Sequence, residues 1–310
     1  MLSVKKSTNQ TMQFRTLIQA TRPSFLILSP VCVFLGASIA MAANGSVDTA
    51  TLILVVIGAL CAHISVNTLN EYADFKSGLD LITVKTPFSG GSGALPDNPA
   101  MANAVLATGL ITLAVTSTVG LYFVNKHEAL LFPIAVIGII GIFIILTYSK
   151  WINRWPFFCL LAPGLGFGGL MVIGTYFVLT SATSITPWLA ALVPFFLVSN
   201  LLLLNQYPDI QADKSVGRNH FPIAYGTRTS SYVYGIFFMS AYSTILLGIY
   251  YGYFPGLSVI AILPAALSIY SLTGAFKHAE NIGAHTQYLG TNVAATLLAP
   301  LLLGISITFG

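Results

Sequence analysis

Acidic side chains are scarce in this 310-residue chain, and most of them fall in two short clusters. Of the nine Asp and Glu residues, five belong to the clusters: Glu71, Asp74 and Asp80 in the first, Asp209 and Asp213 in the second. Each cluster follows a long apolar run, where ionised groups are costly and usually functional. Carboxylate oxygens are the ligands that hard divalent cations prefer, so two such clusters could hold metal ions against a diphosphate.

The spacing inside each cluster places its members on one helical face. In the first cluster, the positions i, i+3, i+4 and i+7 are Asn67, Asn70, Glu71 and Asp74. In the second cluster, a spacing of four joins Asn205, Asp209 and Asp213. Residues with these separations are neighbours on the surface of a helix. We therefore expect each cluster to present its amides and carboxylates to one side.

A proline interrupts the second cluster. Pro208 has no backbone N–H and disfavours helix at Tyr207, so the apolar run should break there. We predict that the helix restarts at Pro208, which would keep Asp209 and Asp213 one turn apart. The alternative is a solvated helix end decorated with acids. That alternative predicts Lys or Arg partners at similar density and no repeated amide–carboxylate pattern.

The elements that must position the clusters are transmembrane helices. Hydrophobic residues make up 55% of the chain and charged residues 7%, against about 25% charged in soluble proteins. A spanning helix needs about 20 apolar residues. Such runs cover residues 25–43, 50–70, 101–124, 129–149, 157–180, 186–206, 231–252, 254–275 and 287–309. Because the runs are continuous rather than alternating, we predict an all-α integral membrane protein with about nine helices bundled around a central cavity.

The basic residues predict the topology. Twelve fall on the side of the N-terminus: Lys5, Lys6, Arg15, Arg22, Lys76, Lys85, Lys150, Arg154, Lys214, Arg218, Arg228 and Lys277. Only Lys126 falls on the other side. By the positive-inside rule, both acidic clusters face the cytoplasm, and we place the chain in the inner (cytoplasmic) membrane. The net charge of +4 follows from this bias and does not indicate nucleic-acid binding.

The chain is interpreted as a single polytopic domain, residues 1–310, with a polar N-terminal tail at 1–22. Each cluster begins with asparagines that close a span and opens into a basic, glycine-containing loop. Four spans separate the clusters, so both have the same orientation. This pattern favours a four-helix internal repeat and coincidence equally, since helix ends are often rich in Asn and Asp. Apart from the lipid bilayer, no obligate protein partner is predicted.

The two clusters resemble the signatures of the UbiA superfamily of membrane prenyltransferases. The resemblance rests on Asn67-x-x-Asn70-Glu71-x-x-Asp74 with Asp80, and on Asn205-x-x-x-Asp209-x-x-x-Asp213. It extends to nine spans, to motifs after the second and sixth spans, and to Tyr148-Ser-Lys150 after the fourth. It implies Mg²⁺, with Mn²⁺ as a substitute, bound with an isoprenyl diphosphate, and alkylation of an acceptor that is usually aromatic.

The form of the first motif is similar to one branch of that superfamily. Asp74-x-x-x-Gly78-x-Asp80 looks like the 1,4-dihydroxy-2-naphthoate polyprenyltransferases of menaquinone synthesis, and Asp213-Lys214-Ser-Val-Gly217-Arg218 also suits that branch. Pro208 and Gln211 replace a basic and an acidic residue expected there. The alternative acceptors are therefore 4-hydroxybenzoate, haem and a lipid ether.

The resemblance assigns roles to particular residues. The implied metal ligands are Asn70, Glu71, Asp74, Asp80, Asp209 and Asp213. The implied contacts to the diphosphate are Asn67, Lys85, Asn205, Lys214 and Arg218. The implied catalytic residues are Asp74, Asp209, Asp213, Tyr148 and Lys150. For each cation the alternative is a role in topology alone, and for Tyr148 and other flanking aromatics it is a place in an interfacial belt.

A glycine-rich loop lies between the second and third spans. It reads Thr86-Pro-Phe88-Ser-Gly90-Gly91-Ser-Gly93 and could cap a diphosphate with backbone N–H groups. A plain connector is the alternative. His63 and His127 are interpreted as ordinary residues of a span and an outer loop. A cation-coupled secondary transporter is the competing class of protein, although transporter sites usually lie near the bilayer midplane.

Overall fold

The computed structural model describes residues 12–310, so Lys5, Lys6 and the first half of the predicted polar tail lie outside the described residues. Nine helices in this range are long and apolar enough to cross a membrane. They are α1 (Pro23–Asn44), α2 (Thr49–Ser77), α3 (Pro99–Lys126), α4 (Glu128–Thr147), α5 (Pro156–Thr180), α6 (Thr186–Asn205), α7 (Phe221–Tyr250), α8 (Gly256–Ala284) and α9 (Thr286–Phe309). No β-strand occurs in residues 12–310. The prediction of an all-α bundle is confirmed.

Helices α2 and α7 both extend beyond the spans that hydropathy predicts, and the extension of α2 carries Asp74 of the site. Helix α2 continues past residue 70 to Ser77, so its 29 residues reach about 44 Å, well beyond a hydrocarbon core of about 30 Å. It ends at Gly78, whose φ of 81° gives the left-handed C-cap that glycine tolerates best. Helix α7 begins at Phe221 instead of residue 231, and a non-helical turn at Gly226 separates this first part from the span.

The second motif crosses a helix break, as Pro208 predicts. Helix α6 ends at Asn205, and a short helix follows at Ile210–Ser215. The predicted restart at Pro208 is wrong by two residues, because residues 206–209 form a turn and Asp209 occupies the N-cap position of the new helix. Asp209 and Asp213 are nevertheless one turn apart, since the Asp213 N–H donates to the Asp209 carbonyl at 2.8 Å.

Helix α6 is the most enclosed span, whereas α3 and α4 bury little of their surface inside the bundle. Glycines of α5 let its backbone approach α6: a Cβ at Gly164 would lie 2.2 Å from the Phe195 carbonyl oxygen, and one at Gly168 would lie 2.5 Å from that of Ala191. Small residues serve this purpose in membrane helix packing. This close contact holds the start of the second motif against the bundle.

A buried polar ring joins α6, α7 and α9. The Asn200 side chain donates to the Tyr234 carbonyl at 2.9 Å, and the Tyr234 hydroxyl donates to Asn292 Oδ1 at 2.8 Å. Asn292 Nδ2 donates back to the Asn200 carbonyl at 3.2 Å. Because unpaired polar groups are costly in hydrocarbon, these three bonds fix how the three helices face one another.

Candidate active site

A central cavity of about 210 Å³ opens among the ends of α2 and α6 and the loops that follow them. Both motifs line it, through Asn67, Asn70, Asp74, Asp80, Asn205, Asp209 and Asp213. Its deeper wall is apolar and includes Phe25, Leu28, Phe167, Val198 and Leu201. Of the residues predicted for metal binding, only Glu71 is absent from the lining. The cavity therefore combines a polar mouth with an apolar interior.

Arg218 connects the two motifs inside this cavity. Its guanidinium forms ion pairs with Asp74 of the first motif and with Asp213 of the second, the latter at 2.9 Å. The other oxygen of Asp213 lies 3.0 Å from Nε2 of the buried His220. Burial lowers the pKa of Arg218, but the two carboxylates more than offset this and raise it above its ordinary value. Arg218 thus neutralises both carboxylates as a permanent cation.

Three oxygens of the two motifs, all on residues that line the cavity, accept no hydrogen bond from residues 12–310. They are Asp80 Oδ2, Asn205 Oδ1 and Asp209 Oδ1, and all three are buried. Burial raises the pKa of Asp80 to about 7, with Glu71 and Asp74 adding to the effect. Burial, and to a smaller extent the charge of Asp213, raises the pKa of Asp209 to about 7. Buried acceptors without donors fit a hard divalent cation, whose charge would stabilise the ionised carboxylates.

The metal site is not already assembled. Among the described residues, no three carboxylate, imidazole or thiol groups are gathered around one point. Asp74 and Asp213 face Arg218, while Asp80 and Asp209 hold the unpaired oxygens. A divalent cation that bridges substrate phosphates needs only one or two protein carboxylates, so this distribution fits a site that the diphosphate completes.

Glu71 holds the glycine-rich loop. Ser92 donates to its carboxylate twice, from the backbone N–H at 3.1 Å and from the hydroxyl at 2.5 Å. The guanidinium of Arg22 lies 3.6 Å from the same carboxylate, which is fully buried. Both carboxylate oxygens of Glu71 are therefore engaged with donors, and its metal role stays a prediction.

The same loop reaches the second motif. The Gly90 N–H donates to Asp209 Oδ2 at 3.0 Å, and a Cβ at Gly91 would lie 2.4 Å from Asp80 Oδ1. Gly90 and Gly91 have φ values of 81° and 76°, which glycine adopts readily. The loop therefore spans the cavity mouth and links Glu71 to Asp209 as a lid. Two of the backbone N–H groups that were predicted to cap a diphosphate donate to carboxylates instead: that of Gly90 to Asp209 and that of Ser92 to Glu71.

The predicted diphosphate cations separate into two groups. Arg218 lines the central cavity, but Lys85, Lys150 and Lys214 are exposed and do not. Lys150 instead lines a second cavity on the flank of the bundle. Their contacts to a diphosphate stay predictions, as does catalysis by Lys150. Tyr148 does line the cavity, with its hydroxyl 3.8 Å from the Cys159 sulfur.

The sequence did not predict a place in the cavity for three basic residues. Arg22 was assigned only to topology, His63 was interpreted as an ordinary span residue, and His220 was not singled out. All three line the cavity. His63 is buried, shares a 2.9 Å hydrogen bond with Ser29 and packs edge-on to Phe167 at 4.7 Å. The signals that could have found them are the position of Arg22 at the entry of α1 and that of His220 at the entry of α7.

A family model for the UbiA prenyltransferase family matches residues 29–288, which is most of the chain. The chain belongs to the UbiA prenyltransferase family. It is therefore a multi-pass membrane enzyme of the prenyltransferase class, as the two motifs imply, and the transporter interpretation is set aside.

Known relatives of this enzyme differ in the acceptor that their names imply. The 1,4-dihydroxy-2-naphthoate octaprenyltransferase of Bacillus subtilis is 29% identical over 227 residues, covering 72% of this chain and 70% of the relative. The digeranylgeranylglyceryl phosphate synthase of Thermococcus kodakarensis is 25% identical over 298 residues, covering 92% and 96%.

Solved structures show the same fold at lower identity. The apo UbiA homologue from Aeropyrum pernix superposes with a TM-score of 0.70 at 17% identity, covering 92% of this chain and 97% of that one. The Archaeoglobus fulgidus homologue bound to GPP and Mg²⁺ gives 0.61 at 14% identity, covering 94% and 99%. These similarities confirm the helical bundle.

Proposed function

We propose that this enzyme transfers an isoprenyl group from an isoprenyl diphosphate to an aromatic acceptor, and that the acceptor is 1,4-dihydroxy-2-naphthoate. The observation that carries the proposal is the convergence of unpaired oxygens from both motifs on one cavity, beside a cation that bridges the motifs. The Bacillus subtilis relative supports the naphthoate acceptor by its name, as does the Asp74-x-x-x-Gly78-x-Asp80 form of the first motif.

A divalent cation, Mg²⁺ or Mn²⁺, supplies neutralising charge for the departing pyrophosphate when it is bound. Homologues solved with Mg²⁺ and with Cd²⁺ support this use of metal. Asp80, Asn205 and Asp209 would hold it through their unpaired oxygens. Asn70, Asp74 and Asp213 are the further candidates, since they lie in the same lining. All these donors are oxygens, which suits a hard cation.

The residues of the chain bind, orient and shield the diphosphate. Arg218 lies beside the place where the pyrophosphate would bind, and its guanidinium could contact the phosphates once the divalent cation draws Asp74 and Asp213 to itself. Such charge-assisted contacts favour the transition state in which the pyrophosphate departs. The apolar wall formed by residues such as Phe167 and Leu201 accommodates the isoprenyl chain. The lid from Thr86 to Gly93 covers the mouth, which keeps water from the carbocation.

The proposed reaction needs no external oxidant or reductant. The allylic C–O bond breaks and its electron pair leaves with pyrophosphate. An aromatic carbon made nucleophilic by a ring hydroxyl forms the new C–C bond. Loss of a proton, or of CO₂ at a carboxylated carbon, restores the ring. Phe88, Phe167 and Tyr148 line the cavity and can present π-faces to the cation.

The decisive experiment uses the purified enzyme in detergent or vesicles. We expect transfer from an isoprenyl diphosphate to 1,4-dihydroxy-2-naphthoate with Mg²⁺ or Mn²⁺, none in excess chelator, and much slower transfer to 4-hydroxybenzoate. Equal rates with both acceptors would contradict the acceptor, and full activity in chelator would contradict the metal.

We also propose that the site faces the cytoplasm in the inner membrane. Among residues 12–310, the Lys and Arg residues predicted on the side of the two motifs outnumber those predicted on the opposite side, where only Lys126 falls. In a variant lacking native cysteines, Lys85→Cys and Ser46→Cys place single exposed thiols at opposite ends of the bundle. An impermeant maleimide added to intact cells should label only the thiol at 46. Labelling of both from one side would contradict this topology.

A further inference from the structure

A second cavity of about 560 Å³ lies on the flank of the bundle, between α2, α3 and α4 and beside the connection that follows α4. We call it the lateral groove. Helices α3 and α4 are the spans that bury least of their surface, so this flank faces the bilayer. The floor of the groove is apolar and consists of Leu69, Leu106, Leu110, Ile145 and Leu146. Such a floor suits hydrocarbon chains.

Three cations surround the polar end of the lateral groove. Lys76, Lys150 and Arg154 line it, and all three are exposed. None of them forms an ion pair with a carboxylate of residues 12–310. The carboxylate in the lining is Asp74, which already pairs with Arg218. The polar end therefore presents uncompensated positive charge, which complements an anion.

Exposed tryptophans indicate how deep two of these cations lie in the membrane. Trp151 directly follows Lys150 in the sequence, and Trp155 directly follows Arg154. Both indole side chains are about half exposed. Because Trp is enriched at the boundary between membrane and water, Lys150 and Arg154 lie at the level of the lipid headgroups.

The apolar floor lies deeper than the cations. On α2, Leu69 precedes Lys76 by seven residues, which is about 10 Å along the helix axis. Leu146 is in the last turn of α4, and Lys150 follows just after that helix. The headgroup region on each side of a bilayer is about 5–8 Å thick. The distance from Lys76 to Leu69 therefore reaches from the headgroups into the acyl chains.

We propose that the lateral groove binds an anionic phospholipid, whose phosphate meets Lys76, Lys150 and Arg154 and whose acyl chains lie on the leucine floor. The positive charge selects an anion, and the apolar floor selects one that carries hydrocarbon chains. The position at headgroup level favours a membrane lipid over an anion from solution. The inference does not depend on which acceptor the enzyme uses.

The bound lipid would also support the central cavity, because the two cavities share a wall. Asp74, Asn153 and Arg218 line both of them. In the same region, the Ser149 hydroxyl donates to Asn70 Oδ1 at 2.8 Å. A headgroup held beside this wall adds contacts that only the folded protein offers, so we expect the anionic lipid to raise the melting temperature.

The native tryptophans give a direct test of binding. The chain has three, and Trp188 at the start of α6 lies at the opposite end of the bundle. In a Trp188→Phe variant, the fluorescence therefore reports only on Trp151 and Trp155. The protein is reconstituted in phosphatidylcholine vesicles with a minor fraction of phosphatidylglycerol, and one lipid at a time is replaced by a form brominated on its acyl chains.

We expect brominated phosphatidylglycerol to quench this fluorescence more strongly than the same amount of brominated phosphatidylcholine. A Trp151→Phe/Trp155→Phe variant, which retains Trp188, should show no such excess. Equal quenching by the two brominated lipids in the Trp188→Phe protein would overturn the proposal.

Charge variants in the Trp188→Phe background assign the binding to the groove. Lys76→Ala/Arg154→Ala should raise the phosphatidylglycerol fraction for half-maximal excess quenching by about tenfold, the effect expected of two cations at the headgroups. Lys76→Arg/Arg154→Lys keeps both charges and should retain the excess. The matched control is Arg228→Ala/Lys277→Ala, which removes two exposed cations that line neither cavity. Equal losses in the two alanine pairs would overturn the proposal.

Inorganic phosphate tests whether a soluble anion occupies the groove instead. Adding it should reduce the excess quenching no more than sodium chloride of the same ionic strength does. A larger loss with phosphate would assign the groove to free phosphate and overturn the proposal.

Melting temperatures complete the test. Melts in pure phosphatidylcholine establish that each variant folds. Phosphatidylglycerol should then raise the melting temperature of the unaltered protein but not that of Lys76→Ala/Arg154→Ala. Equal rises in both proteins would overturn the proposal.

Discussion

The two acidic motifs line the same cavity but differ in how their oxygens are used. In the first motif, the Glu71 carboxylate accepts hydrogen bonds from Ser92, and the Asp74 carboxylate forms an ion pair with Arg218. In the second motif, Asn205 and Asp209 each keep a buried oxygen without a donor. The residues of the first motif from Asn67 to Asp74 lie on an unbroken helix, whereas the second motif crosses a turn, which frees its side chains from a single helical face. Asp213 resembles Asp74, because it is also paired with Arg218, and Asp80 resembles Asp209, because it also keeps a buried oxygen without a donor. The difference therefore indicates that Glu71 and Asp74, on the helix of the first motif, mainly organise the site, whereas Asn205 and Asp209, together with Asp80, mainly receive the ligand.

The largest expected effect comes from Asp209. Asp209→Asn keeps an oxygen that can accept the Gly90 N–H but removes the negative charge beside the cavity. We expect transfer to fall by about two to three orders of magnitude and the Mg²⁺ concentration for half-maximal rate to rise. Steady-state rates over a metal titration measure both. An unchanged metal requirement would show that Asp209 does not help to bind the metal, and an unchanged melting temperature excludes unfolding.

Arg218 should give the next largest effect, because it serves both motifs. Arg218→Ala removes a charge-assisted contact to the diphosphate, worth about 1.5–3 kcal/mol, so the KM for the isoprenyl diphosphate should rise by about one to two decades. It also leaves Asp74 and Asp213 without their cation, which should lower the melting temperature in chelator and less so in Mg²⁺. Lys277→Ala is the control, and similar behaviour of the two variants would mean that Arg218 only sets topology.

Gly91 tests whether the lid must lie close to Asp80. Gly91 and Gly45 both have a φ of 76°, so alanine at either should cost about 1–2 kcal/mol of stability. Only at position 91 would the new Cβ meet a neighbour, Asp80 Oδ1, at 2.4 Å, since nothing lies within 4 Å at position 45. We expect similar melting temperatures for the two variants and about tenfold slower transfer for Gly91→Ala alone. Equal rates would show that the lid tolerates displacement.

Ser92 should give the smallest effect. Ser92→Ala removes the hydroxyl bond to Glu71 but leaves the backbone bond, a loss of about 1 kcal/mol. We expect a KM for the isoprenyl diphosphate about fivefold higher, with the metal requirement unchanged. If this variant shifted the metal titration as Asp209→Asn does, Glu71 would be a metal ligand after all and the contrast between the motifs would disappear.

The sequence predicts the spans, the two motifs and the break at Pro208, because hydropathy, helical spacing and proline chemistry are local properties. It does not separate Arg218 from Lys85, Lys150 and Lys214, since all four fall on the same predicted side of the membrane. Which cation turns inward depends on the loop before α7, where Arg218 and His220 both reach Asp213. The bond from Ser92 to Glu71 joins residues 21 positions apart through a loop, so no periodic pattern indicates it.

The ring formed by Asn200, Tyr234 and Asn292 has a consequence for the rotational register of the helices. A slip of one residue turns an α-helix by about 100°, which would point an amide or a phenol into hydrocarbon. Helix α6 ends just before Asp209, and α7 begins just after Arg218 and His220. By preventing either helix from turning, the buried ring keeps the carboxylates and the guanidinium of the cavity aligned with each other.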